Sequence, residues 1–335
     1  KPLQEATRLA RRSGKNQRIP AAKAMQIRDG SRERMPVTRL IQRMPGSRGF
    51  RSLQWIPVGS VAIAILLLAG VAWQRSRRDE GLPQEVRQLK EVVRRLAAHN
   101  NLGQQRLSFS IDAGSYAATL AQDRGLCKED HCDFFAQLNP FRHYDRSWDE
   151  LMRQSYAIGD IEAWSASSGT VSLSRASFRA YGGHQGWLSC TVAHELAHIR
   201  RHHIFIHSYY VNNTLKGKDA QQRTKLGFKR GREQELEADR DSAVMVANSG
   251  LPHRICLDNL IFLHKSAGDG SATEEDSTHP GYDDRIRAMT RFYDQLKPAV
   301  SSGIKSTSLR PSAGTPGRFR YDSRNNLLIF TPLGS

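Results

Sequence analysis

The chain has 335 residues, 39% of them hydrophobic, enough to build a sizeable core and to exclude a globally disordered protein. Its formal charge of +17 is unevenly spread: residues 1–54 hold 14 Lys/Arg against 3 Asp/Glu, a net +11, which leaves +6 for the other 281 residues. The basic character therefore belongs to an N-terminal arm and not to a folded surface. Four cysteines, Cys127, Cys132, Cys190 and Cys256, contain no C-x-x-C pair, which argues against a zinc ribbon and leaves both a local Cys127–Cys132 disulfide and free buried thiols open.

Residues 1–54, rich in Arg, Ser, Gly, Gln and Pro, cannot bury enough apolar surface to offset chain entropy and read as a disordered arm. Nucleic-acid or anionic-lipid binding, a transit peptide and a plain solvated tail are its alternatives, the tail being favoured. Trp55 to Trp73 is a charge-free run of nineteen residues. As a helix it spans roughly 28 Å, about one hydrocarbon core, with a tryptophan at each end. It predicts a single membrane span with the N-terminus cytoplasmic and the remainder translocated, into a bacterial periplasm first and a mitochondrial intermembrane space second. Gly70-Val71-Ala72 also fits a signal-peptide ending, although Arg75, Arg77 and Arg78 favour a retained anchor.

From the Gly81-Leu82-Pro83 break on, Leu82, Val86, Leu89, Val93 and Leu96 recur at helical spacing, giving a stalk helix over residues 80–100 that packs on the following domain. Residues 105–160 read as mostly helical, with Ser115–Gln122 and Trp148–Tyr156 as segments. Asp160 to Ser165 and Thr170 to Ser174 alternate apolar and polar residues around Ser167-Ser168-Gly169, as a β-hairpin does. Trp187 to Arg200 is then a helix, and the basic stretch Lys216 to Arg232 reads as an exposed loop or frayed helix. Ser301–Gly317 is a linker, and Arg318–Tyr321 with Leu327–Phe330 forms a closing hairpin.

The chemistry lies in the helix at 187–200, which contains His194-Glu195-Leu196-Ala197-His198. With 12 His and 14 Glu in the chain, chance placement yields roughly 0.02 H-E-x-x-H matches. Histidines four apart share one helical face and can present two imidazole nitrogens to one metal ion, most often Zn²⁺. Glu195, one step round the helix, is placed to act as a general base. Two histidines leave such a site incomplete. The best third ligand is Glu235, thirty-seven residues on, with Asp239 one turn later to hold the free N–H of a ligand histidine.

These segments, with Thr278-His279-Pro280 and Arg285-Ile286, resemble the zinc endopeptidase family of the CAAX prenyl protease and the HtpX-like membrane proteases, over roughly residues 105–298. The resemblance implies an α+β, mainly helical, zincin-like metallopeptidase domain with a small antiparallel sheet beside the active-site helix. It implies one Zn²⁺ per chain on His194, His198 and Glu235, with Glu195 as base and Asp239 behind a ligand. His279 becomes the donor to the oxyanion, Arg285 braces the carboxylates, and Ala163, Trp164 and Ser165 form the substrate-binding edge strand. The chain departs from the family at Glu162, where the edge strand carries Asn, and in having one candidate span in place of a multi-span body.

The function expected is therefore membrane-anchored, zinc-dependent hydrolysis of peptide bonds in protein substrates. An inactive zinc-binding scaffold is the alternative, and a nucleic-acid or anionic-lipid binder acting through the arm ranks behind it. A single aromatic, Phe50, stands among the arm's arginines, too few for a stacking surface, so nucleic acid is not an expected partner; membrane lipid along residues 55–73 is.

Overall fold

Leu107-Ser-Phe-Ser-Ile-Asp, short and one-third serine, forms the central strand of a five-stranded sheet. The computed structural model describes residues 79–128, 132–133, 137–142, 145–267, 272–301 and 313–334. In chain order these give α1 (Gln84–His99), β1 (Leu107–Asp112), α2 (Ser115–Asp123), α3 (Arg146–Ile158), β2 (Ala163–Ala166), β3 (Thr170–Ser174), α4 (Arg175–Ala180) and α5 (Gln185–Arg200). They continue with α6 (His203–Tyr209), a π-turn over Tyr210–Thr214, α7 (Ala220–Asn248), α8 (Ile255–Ala267), α9 (Tyr282–Ser301), β4 (Gly317–Asp322) and β5 (Leu327–Pro332). The architecture is α+β, as expected.

The strands lie in the order β2-β3-β1-β5-β4. Both expected hairpins form, β2–β3 and β4–β5, each antiparallel. β1 joins them, parallel to β3 and antiparallel to β5, so the sheet is mixed and not purely antiparallel. This strand corrects the mostly helical reading of 105–160; the two helices expected there, α2 and α3, are present. β2 is left at the sheet edge, beside α5.

Helix α5 is buried nearly all round. Leu188, Val192, Leu196 and Ile199, spaced three and four apart, enter the main core. The opposite side carries the H-E-x-x-H residues toward a cavity. α5 packs on α7, α1, α8 and β2. The helix read as a stalk is α1, and its Val86, Leu89, Val93 and Leu96 are buried in that same core. Asn100 ends α1 and ties it to α7, donating from Nδ2 to Leu96 O at 2.9 Å and Met245 O at 3.0 Å. The cysteines are paired as Cys127–Cys132 and Cys190–Cys256, the second linking α5 to α8 across 66 residues. A loop of that size is worth about 2–4 kcal/mol through the unfolded chain it constrains.

The single-span membrane placement is corrected here. Among the described residues no helix is long and apolar enough to cross a membrane. The apolar α8 has 13 residues, about 20 Å against a hydrocarbon core of about 30 Å, and the 29-residue α7 is charged along much of its length. The basic arm and the apolar run 55–73 lie outside the described residues.

One buried carboxylate belongs to the sheet and not to the cavity chemistry. Asp112, at the end of β1, accepts from Ser172 Oγ at 2.6 Å and from Gly114 N at 2.8 Å. Burial, the largest influence, pushes its pKa up to about 6 from an ordinary 3.8. A raised folded-state pKa means that the stabilisation is complete below about pH 4 and is lost as pH rises through 6. At 1.36 kcal/mol per unit that amounts to about 3 kcal/mol. Asp112→Asn is therefore expected to gain stability relative to the unaltered chain by up to about that amount between pH 4 and pH 7. Urea unfolding at both pH values checks this; a stability difference independent of pH would refute it.

Candidate metal centre and active site

Three elements converge on the cavity side of α5. Helix α5 supplies His194 and His198 one turn apart, α7 supplies Glu235 and Asp239, and the turn into α9 supplies His279, with Arg285 in the first turns of the helix itself. The stretch read as a loop, Lys216–Arg232, is largely the first half of α7, capped by Asp219, whose carboxylate accepts from Gln222 N at 2.8 Å. It has a positioning function. Arg232 Nη1 donates to Ser277 O at 2.7 Å and so holds the turn that carries His279. A side chain at Gly231 would meet Thr278 O at 3.2 Å, so glycine lets this turn approach the helix.

His194 Nε2 lies 3.1 Å from His198 Nε2 and 3.2 Å from Glu235 Oε2, while His198 Nε2 lies 3.4 Å from Glu235 Oε1. The three side chains form a group, mostly buried, that could hold a metal ion, with all ligand atoms within 4.8 Å of one another. Behind them, His194 Nδ1 approaches Asp239 Oδ1 at 3.0 Å, within hydrogen-bonding distance but poorly aligned. Asp239 in turn accepts both prongs of Arg285, from Nε at 2.8 Å and Nη2 at 2.7 Å. His279 Nε2 stands 3.6 Å from Glu235 Oε1, on a side chain 65% exposed. These six residues are thus brought together, and Glu195 lines the same cavity.

The electrostatics of the site pair its buried charges. Burial opposes charge on His194, yet the bonds to Asp239 and Glu235 outweigh it and hold its pKa at about 10. Burial and then the His194 charge push His198 down to about 3. Burial works against ionisation of Glu235 and Asp239 too, but the histidines beside the first and Arg285 beside the second hold both carboxyls well below the usual range. Glu195 is different: burial dominates and raises its carboxyl, with His194, Ser165 and Arg285 countering.

A cavity of about 610 Å³ opens over this group and is also lined by Ala163, Trp164 and Ser165 of β2. The expected edge strand therefore faces the same space as Glu195. Glu162, the departure from the family pattern, is taken up by α2: its carboxylate accepts from Ser115 N at 2.9 Å and Ser115 Oγ at 2.5 Å at the helix start.

Two features of the site escaped the sequence reading. Tyr181, Thr191 and Asn259 build a polar wall of the cavity, with Tyr181 Oη 2.7 Å from Thr191 Oγ1. Buried His203 packs against His198 and reaches Glu237. Its signal in the sequence was a second histidine five residues after His198 and a glutamate two after Glu235. No family model, no curated protein and no solved structure matches this chain.

Proposed function

We propose that this protein is a zinc-dependent endopeptidase that hydrolyses peptide bonds of protein substrates, with one zinc per chain on His194, His198 and Glu235. One observation carries the reading. His194 Nε2 and His198 Nε2 are 3.1 Å apart, and each faces its own oxygen of the Glu235 carboxylate, Oε2 at 3.2 Å and Oε1 at 3.4 Å, spacings close to the roughly 3.3 Å between ligands in a tetrahedron with bonds of about 2.05 Å. The donor set, two imidazoles and one carboxylate, suits zinc in a hydrolytic site that keeps a fourth position open. The resemblance to the CAAX prenyl protease and HtpX-like family points the same way.

A zinc ion held there supplies Lewis acidity toward a carbonyl and makes water a nucleophile near neutral pH. The chain's own residues do the rest. The outer edge of β2, the end strand of the sheet, accepts an extended peptide as an added strand. Glu195 removes the proton from the attacking water and delivers it to the leaving amine. His279 donates a hydrogen bond to the oxyanion that develops at the scissile carbonyl. Asp239 keeps the His194 proton on Nδ1 and its Nε2 lone pair toward the centre, and Arg285 fixes Asp239.

The test is metal analysis of the purified full chain together with a casein-cleavage assay, with and without chelator. The expected result is about one zinc per chain and cleavage that stops on chelation and returns with zinc. A chain that takes up no zinc, or a zinc-loaded chain that cleaves nothing, overturns the reading.

A further inference from the structure

We infer that His203 and Glu237 form a second positioning arm of the metal centre, fixing the tautomer and ring orientation of His198 as Asp239 does for His194. The inference rests on the metal reading above. His198 Nδ1 lies 3.2 Å from His203 Nδ1, and His203 Nε2 lies 3.2 Å from Glu237 Oε2. His203 is 2% exposed, and the two imidazoles meet edge to face with ring centres 4.9 Å apart.

Proton counting orders this chain. An ionised carboxylate only accepts, so the His203 proton belongs on Nε2, facing Glu237. That leaves His203 Nδ1 as an acceptor, which takes the proton of His198 Nδ1. His198 Nε2 then carries its lone pair toward Glu235 and His194, where a ligand must point. The reverse order would set the lone pair of His203 against the carboxylate and aim an N–H of His198 into the metal position. Glu237 thus dictates, across an intervening imidazole, which nitrogen of His198 is free to ligate.

The fold is built to hold the arm still. Helix α5 ends at Arg200, and His202 then adopts a left-handed conformation, φ 54°, which turns the chain so that His203 lies against His198. A residue other than glycine in that region is uncommon and costs of order 1 kcal/mol, so the surrounding contacts must maintain it. One is visible: Gln234 Nε2 donates to His203 O at 3.1 Å. Glu237 is itself steadied by Arg201, whose Nη1 is 3.5 Å away and whose guanidinium grips Asp241 at 2.6 and 2.8 Å. The two arms differ in kind. His194 is backed directly by a carboxylate, and His198 by an imidazole that a carboxylate orients.

The experiment measures Zn²⁺ and Co²⁺ affinity of the full chain by chelator competition, with the visible spectrum of the Co²⁺ form as a report on ligand geometry. His203→Phe, which fills the space but accepts no proton, is expected to weaken both metals by about 10–100-fold and to alter the Co²⁺ spectrum. His203→Asn can place an acceptor oxygen near His198 Nδ1 and is expected to recover most of the affinity. Glu237→Ala, nearer the surface, is expected to weaken binding as well, and it decides the matter if His203→Phe does not fold. Unchanged affinity and spectrum in a folded His203→Phe or in Glu237→Ala would overturn the inference. Absence of metal binding in the unaltered chain would instead overturn the metal reading on which it rests.

Discussion

Glu195→Gln is expected to lose peptide hydrolysis by about 10²–10⁴-fold in kcat/KM while retaining stoichiometric metal. The substitution is nearly isosteric and removes the proton acceptor without touching a ligand atom. Glu195 stands beside the ligand group, on the cavity that β2 lines, and is 8% exposed. Because burial already disfavours its ionised form, a neutral amide adds little desolvation cost, and the fold is expected to be preserved. Metal content by elemental analysis and cleavage of a fluorogenic peptide read the two halves of this prediction separately. Loss of activity with metal retained supports a general base. Full activity in the variant would remove Glu195 from the mechanism and with it the assignment of the reaction.

How far the site could be read before folding depends on the range of the physics that fixes each part. His194 and His198, and likewise Glu235 and Asp239, are four apart, so helical geometry alone puts each pair on one face. The proposed metal gives both pairs a reason to meet. The 3.4 Å approach of His198 to Glu235 is the long-range consequence of that local regularity. Strand β1 carries a strand's alternation, Leu107, Phe109 and Ile111 between Ser108, Ser110 and Asp112, but nothing local names its partners. Leu107–Asp112 is six residues long, and its neighbours on either side, β3 and β5, come from hairpins some 60 and 220 residues downstream. Such pairing is decided by tertiary partners, which local alternation does not reveal.

The first half of α7 was illegible for a different reason. Its polar surface lacks an apolar stripe, and what holds it is an Asp219 cap together with close packing at Gly231. His203 was hidden by a single backbone conformation, the left-handed His202, because a helix continued through this position would carry the imidazole past His198. The membrane placement drew on residues 55–73 alone, and none of the helices described supports it.

The other large effect concerns Asp239, where structural and metal-positioning roles can be separated. Asp239→Ala leaves the Arg285 guanidinium, 14% exposed at the side chain, without its bidentate partner. Breaking a buried pair from one side costs about 3–5 kcal/mol, because an uncompensated charge stays in the interior. The same substitution frees His194 Nδ1, and removing such a partner weakens metal binding by about 10–100-fold. The double variant Asp239→Leu with Arg285→Met removes both charges and keeps apolar volume, so most of the lost stability is expected to return. Its metal affinity is not, since His194 still lacks an acceptor. Arg285→Met alone is the converse: stability falls, but Asp239 can still receive the His194 proton, so affinity falls less than in Asp239→Ala. Urea unfolding of the metal-free chains isolates stability from the contribution of bound metal, and chelator competition measures affinity. Should the double variant recover affinity along with stability, Asp239 would be a packing residue and not the group that orients His194.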